Sequence, residues 1–269
     1  MTRSQTRPRR QALAELLGLT GLLLAAGLLA GQGSQTLARS MGALRDASAP
    51  APVPRSPAPA SPAPIPRTDG MAAIDRNLIT AASIGDLDLV MRLLNAGASL
   101  RAADERGRSA LLAALYNRRG DVARALILAG ADVNQKDDES NNAFLLASAT
   151  NQLDALRLAL AHGADVRSTD RYDGTALIAA SQHGNVEVVK LLLKSGVPVD
   201  RVNQLGWTAL LEAIVLGDGG ARYEEVVQLL LDAGADANLA DREGITPSRH
   251  ARERGYKSMV KMLMRARGH

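Results

Sequence analysis

Residues 173–196 read DGTALIAASQHGNVEVVKLLLKSG, and they describe a helical hairpin. Thr175 stands where a hydroxyl can accept one of the orphaned N–H groups at the start of a first helix. Leu177, Ala179 and Ala180 give that short helix a face of small side chains on which a neighbour can stack closely. Gly184 breaks the chain, and Val188, Val189, Leu191, Leu192 and Leu193 arm a second helix. Gly196 then supplies the left-handed residue that ends it. Neither helix can bury its apolar face alone, so the hairpin must lean on others like it.

Others are present. A glycine closes each of the runs LLNAGASL, LILAGADV, LALAHGADV, LLKSGVPV and LLDAGADA, at Gly97, Gly130, Gly163, Gly196 and Gly234. The spacings are 33, 33, 33 and 38 residues, a period that marks a solenoid of helical hairpins. Ser109, Thr208 and Thr246 recur at the Thr175 position, and Pro247 takes a first helical position, where its missing donor costs nothing. Composition agrees. Aromatics make up 2% of the 269 residues, with one Trp and one Phe, so the core has to be thin layers of Leu, Ala, Val and Ile.

These lines resemble the ankyrin repeat family, whose 33-residue units carry a T-P-L-H-x-A element. The resemblance covers residues 74–269 as six units, at about 71–103, 104–136, 137–169, 170–202, 203–240 and 241–269. It implies an all-α solenoid of helix–turn–helix units with short hairpin tips. There are departures. Only Thr246-Pro247 keeps the T-P pair, while Ala110, Ala176 and Ala209 replace the proline elsewhere. Leu112, Ile178 and Leu211 stand where the family has His, so its turn-bracing hydrogen bond is absent there. Unit three lacks both the turn Gly and the Thr cap. Asn141 and Asn142 are its substitutes, since Asn tolerates left-handed geometry and can cap, and the unit is expected to be the softest.

The N-terminal 70 residues are different. Four arginines precede an uncharged run at 16–30, followed by small polar residues and a Thr36-Leu37-Ala38 cleavage site, the layout of a secretory signal peptide. Residues 1–38 are therefore expected to be a signal peptide or an N-terminal membrane anchor, with cleavage and anchoring both open. Nine of the eleven prolines fall in residues 1–70, and residues 39–70 read as a disordered Pro/Ala-rich linker before a repeat domain at 71–269. The expected place is the periplasm, or the inner membrane facing it. The family resemblance extends to small exported bacterial ankyrin proteins, some associated with peroxide defence.

Charge and chemistry narrow the function. Eight Arg against three acids give residues 1–70 a charge of +5, which leaves −1 of the total +4 for the remainder. No basic stripe with interleaved aromatics is left for bases to stack on, so no nucleic acid is expected. The chain has no Cys, excluding disulfides, thiolate metal sites and a Cys nucleophile. His162, His183, His250 and His269 fall at unrelated places in their units, and no metalloprotease, nucleophile-elbow or paired-acid motif occurs. The glycine-rich 217–220 has no following Lys-Ser/Thr to hold a phosphate. We expect no enzyme activity, no cofactor and no metal.

What the resemblance implies instead is partner binding on a concave face lined by hairpin tips and first helices. Carried over by position, the candidates are Arg106, Arg108, Arg171, Tyr172, Gln204, Trp207 and Arg242 at tips, with Tyr116 late in a first helix. Trp207, the only Trp, is either a binding anchor or a cover for the neighbouring turn. The 38-residue spacing raises its own question. Its five extra residues fall after Gly217, at 218–222, where they are expected to lengthen the turn between two helices and interrupt no packed helix. With Asp218, Arg222 and Tyr223 this segment is either a partner-contacting loop or a tolerated insertion. The last unit carries a run of basic residues from Arg249, read as a polar cap or as a dock for an acidic partner or anionic membrane. The expected function is a monomeric, non-catalytic binding module for an unidentified protein. The alternatives are a membrane-tethered scaffold, or an enzyme or inhibitor using the 218–223 loop.

Overall fold

A computed structural model describes residues 71–266. The expected signal segment and linker lie outside them. Among the described residues every regular element is helical, in six consecutive pairs. These are α1 (Met71–Ile84) with α2 (Leu87–Asn95), α3 (Ala110–Tyr116) with α4 (Gly120–Leu128), and α5 (Ala143–Ala149) with α6 (Leu153–Ala161). They continue with α7 (Ala176–Gln182) and α8 (Val186–Lys194), α9 (Ala209–Leu216) and α10 (Ala221–Asp232), and α11 (Pro247–Glu253) and α12 (Lys257–Ala266). First helices stack on first helices and second on second, so the pairs form two parallel layers with the core between them.

The short first helices start on cue. Ser109, Asn142, Thr175, Thr208 and Thr246 each accept a hydrogen bond from the backbone N–H three residues on, at 3.0–3.4 Å. Once started, α3 buries every residue from Ala110 to Leu115, because it is packed on both flanks as well as from behind. Each fully buried Leu stabilises the stack by about 1.5–3 kcal/mol. Phe144, the only Phe, is completely enclosed on α5 and is the largest of the fully buried side chains.

Unit three compensates differently from the sequence expectation. Asn142 does cap α5, and its amide also donates to Ser168 Oγ at 3.0 Å. Asn141, however, does not take the left-handed turn. Ser140 does, at φ 60°, and Asp173 does the same in the next tip at φ 59°. Asn141 instead donates its amide to the Tyr116 hydroxyl at 3.0 Å. Unit three thus has a cap and a closed tip like its neighbours.

The insertion in unit five is also not a lengthened turn. First helix, turn and second helix there hold 8, 4 and 12 residues, against 7, 3 and 9 in unit four. One extra residue enters α9, one the turn, and three form an added first turn of α10. Ala221, Arg222 and Tyr223 are helical because Gly220 ends the turn in extended geometry and the Tyr223 and Glu224 N–H groups both return to its carbonyl. Two tyrosines clasp the segment from either side. Tyr223 donates to the Gln182 carbonyl of unit four at 3.0 Å, and Tyr256 of unit six donates to the Gly217 carbonyl at 2.8 Å. Gly219, at φ 75°, lets the backbone pass against the Tyr256 ring, which an added Cβ would meet at 2.4 Å.

Candidate partner-binding face

Five hairpin tips are built on one device. The head residue of each is Asp104, Asp137, Asp170, Asn203 or Asp241, and its Oδ1 accepts from the backbone N–H two and four residues on, at 2.8–3.1 Å. A short polar side chain that mimics a backbone turn in this way fixes the loop without regular secondary structure. The tips are then tied to one another. Asp138 N–H donates to the Arg106 carbonyl, Arg171 to Glu139 and Gln204 to Tyr172, at 3.0–3.1 Å. Tips two to five form one hydrogen-bonded row.

The second atom of each head residue finds a partner of its own in four tips. Asp104 Oδ2 takes Arg108, in an ion pair of 2.6 Å. Burial opposes ionisation of Asp104, but the Arg108 side chain and the backbone N–H groups outweigh it and lower its pKa. Asp137 Oδ2 accepts from the Tyr116 hydroxyl at 2.6 Å. Burial, then Asp137, holds the Tyr116 proton well above the ordinary phenol range. Asn203 Nδ2 donates to Glu212 Oε1 at 2.8 Å, and Asp241 Oδ2 lies 2.7 Å from His250 Nε2.

This geometry sorts the sequence candidates. Arg106, Arg171, Tyr172, Gln204 and Arg242 are exposed on the tips. Arg171 pairs with Glu139 at 2.6 Å and stacks over the Tyr172 ring at 4.7 Å, which holds both side chains in place. Arg108 and Tyr116 are half-buried, Arg108 bracing its own tip at Asp104 and Tyr116 the next one at Asp137. Trp207 is 8% exposed and packs on Leu211 and Val215 of α9, so in the free protein it covers its turn. Tyr223 is buried by its clasp, with Arg222 stacked over its ring at 4.7 Å. Asp218 and Arg222 are exposed and 3.7 Å apart.

Sequence reading missed the head residues and Glu212. The heads had a signal, since 104, 137, 170, 203 and 241 repeat the spacings of 33, 33, 33 and 38 found for the glycines. Glu212 had one as well, as the single charge in the helix ALLEAIVL. A groove of about 700 Å³ on the opposite edge had none. It lies between the starts of α4 and α6, and Arg118, Arg124 and Arg157 share its lining with Asp121 and Asp154. Among the described residues, no three His, Asp or Glu gather as a metal site, and no helix is long and apolar enough to cross a membrane.

A family described as "Ankyrin repeats (3 copies)" matches residues 75–137 and 144–241. The chain belongs to the ankyrin repeat family. A crystal structure of an ankyrin repeat domain from Acinetobacter baumannii AYE is 49% identical, with a TM-score of 0.68 over 70% of this chain and 96% of that one. The ankyrin repeat protein EF0377 is 34% identical, with a TM-score of 0.67 over 71% of this chain and 97% of its own. The ankyrin repeat protein YahD of Escherichia coli (strain K12) is 49% identical over 55 residues, which span 20% of this chain and 27% of YahD. The ankyrin repeat is typically a protein–protein interaction module.

Proposed function

We propose that this chain is a non-catalytic protein-binding module of the bacterial cell envelope. One observation carries the binding part. Arg106, Arg171, Tyr172 and Gln204 project from tips whose backbones are hydrogen-bonded into a single row. A pre-ordered row loses little conformational entropy on binding, and exposed Arg and Tyr are the residue types most often decisive at interfaces. Arg242 extends the row at the sixth tip, and Val202, 45% exposed beside Asn203, adds apolar area. Trp207 supports this face from beneath, while Tyr223 is held at the far end of the hairpins, on Gln182.

The envelope part rests on residues 1–38, whose charge-then-apolar order directs export. The mass of the mature protein tests it. Loss of residues 1–38 places the domain in the periplasm, full length leaves it tethered behind the Pro/Ala spacer, and recovery in the cytoplasm defeats the reading. A role in peroxide defence, drawn from the family resemblance, is checked by the survival of a deletion strain under peroxide. The binding reading is tested by crosslinked capture from envelope fractions, comparing the intact chain with Arg106→Ala/Arg171→Ala/Tyr172→Ala. A protein captured by both equally would remove the tip row from the account.

A further inference from the structure

Among the described residues, Glu212 has no counter-charge. It sits on α9, 4% exposed, between the fourth and fifth tips. Its Oε1 accepts from Asn203 Nδ2 at 2.8 Å, while its Oε2 is enclosed without a hydrogen-bond partner. The same Asn203 holds the fifth tip together, because its Oδ1 accepts from the N–H groups of Leu205 and Trp207, each at 3.0 Å. Trp207 in turn packs on Leu211 and Val215, on either side of Glu212 along the helix. Carboxyl, amide, tip backbone and indole form one connected set.

The elements packed on α9 offer it no cation. Helix α7 reads ALIAASQ and has no titratable side chain, and the tip before it contributes Asp170, a charge of the same sign. On α11, Arg249 is paired with Glu253 and His250 with Asp241, and Arg252 is exposed. On α10, Arg222 lies over the Tyr223 ring, the Tyr223 hydroxyl is bound to Gln182, and Glu225 is paired with Lys190. Glu224 is half-buried and Asp232 is exposed, taking a bond from Gln228. An ionised Glu212 would be a buried charge with a single neutral donor, whereas a neutral one leaves only an O–H unpaired. The first is far costlier.

We propose that Glu212 is a protonation switch for the fifth tip. With the carboxyl neutral, Asn203 keeps residues 203–207 closed and Trp207 seated on α9. With it ionised, water must reach the carboxylate, and the seam beneath Trp207 loosens. Burial raises the Glu212 pKa, the Asn203 hydrogen bond opposes it and Asp170 adds to it, a net rise from 4.5 to about 7 that puts the change in the neutral range. The consequence for function rests on the tip row being the binding face, since Gln204 lies in the switched segment. Partner grip is then firmer in mild acid and weaker in alkali.

Trp207 is the only Trp in the chain, so its emission reports this tip alone. Fluorescence of the free protein is followed from about pH 5.5 to 9, the range in which a raised carboxyl and His both titrate. The wild type should show a reversible red shift as pH rises through neutral. Glu212→Gln, which keeps the acceptor for Asn203, should show none, and His250→Gln should retain the shift. Asp170→Asn removes the like charge and should move the midpoint to lower pH, which decides the matter even if Glu212→Gln fails to fold. A flat wild-type curve, a shift that survives unchanged in Glu212→Gln, or a midpoint unmoved by Asp170→Asn would overturn the switch. No partner enters this measurement, so its failure is separate from failure of the binding face.

Discussion

Glu212 and His250 occupy the same register on successive first helices, and each is bound to the head of its own tip nine residues earlier. Glu212 accepts from the Asn203 amide at 2.8 Å, and His250 Nε2 lies 2.7 Å from the Asp241 carboxylate. The brace is the same and its chemistry is exchanged: carboxyl with amide in unit five, imidazole with carboxylate in unit six. The corresponding positions in units two to four are Ala113, Leu146 and Ala179, which cannot form it. The family's usual brace is missing where Leu112, Ile178 and Leu211 stand, and two units have recovered one from the next position along.

Replacing a head residue should therefore cost in proportion to its burial. Asp137 is 7% exposed and accepts from two N–H groups and the Tyr116 hydroxyl. Asp137→Ala leaves three donors unpaired, and urea unfolding should show a loss of about 2–4 kcal/mol. Asp104→Ala, whose site is only half-buried, should lose on the order of 1 kcal/mol.

Asn142 is fully buried and makes two bonds, capping α5 and donating to Ser168. Asn142→Ala should cost about 2–3 kcal/mol, and Asn142→Ser, which keeps the cap, roughly half of that. Equal losses would show that the cap contributes little.

The tyrosine clasp makes the insertion part of the packed stack. Removing residues 218–222 restores the 33-residue period but deletes the first turn of α10 and separates the Tyr256 ring from Gly217. Thermal unfolding should show a clear loss, about 2–4 kcal/mol. Gly219→Ala alone should cost about 1–2 kcal/mol, since a Cβ there is strained at positive φ and meets the ring. A deletion as stable as the parent would return the segment to the status of a surface loop.

Stability should respond to pH with a sign set by Glu212. Its carboxyl binds a proton more tightly folded than unfolded, so its contribution is complete below pH 4.5 and is lost as pH rises to about 7. His183, whose pKa burial and then Arg222 lower, acts in the opposite sense and loses stability as pH falls through its ordinary value of 6.5. The difference between Glu212→Gln and the parent isolates the first effect. That difference should grow in favour of the variant from pH 4.5 to 7, then level off, by on the order of 1–3 kcal/mol. A pH-independent difference would mean that Glu212 does not titrate in the folded protein.

Much of this was legible in the sequence. The spacing from Gly97 to Gly234 and the caps at Ser109, Thr175, Thr208 and Thr246 locate the helices, because period and capping are local properties. Trp207 and Tyr223 were not legible as supports, since an aromatic at a turn looks the same whether it faces a partner or the next helix. Their direction is set by Val215, Gln182 and the neighbouring unit. The insertion misled for a related reason: Gly217 and Gly219 mark a turn, but nothing local shows that Ala221 and Arg222 continue a helix backed by Tyr256. Ser140 took the left-handed position expected of an Asn because the fixed tip length, more than residue preference, chooses which residue bends.

The most direct test of the binding account compares two surfaces of one protein. The combined variant Arg106→Ala/Arg171→Ala/Tyr172→Ala/Gln204→Ala/Arg242→Ala strips the tip row, and Lys257→Ala/Lys261→Ala/Arg265→Ala strips the basic face of α12. Both change exposed side chains and should fold as the parent does. Crosslinked capture from periplasmic and membrane fractions should recover one specific protein with the parent and with the α12 variant, and lose it with the tip variant. Recovery with the tip variant and loss with the α12 variant would contradict the account and move the interface to the basic end of the solenoid.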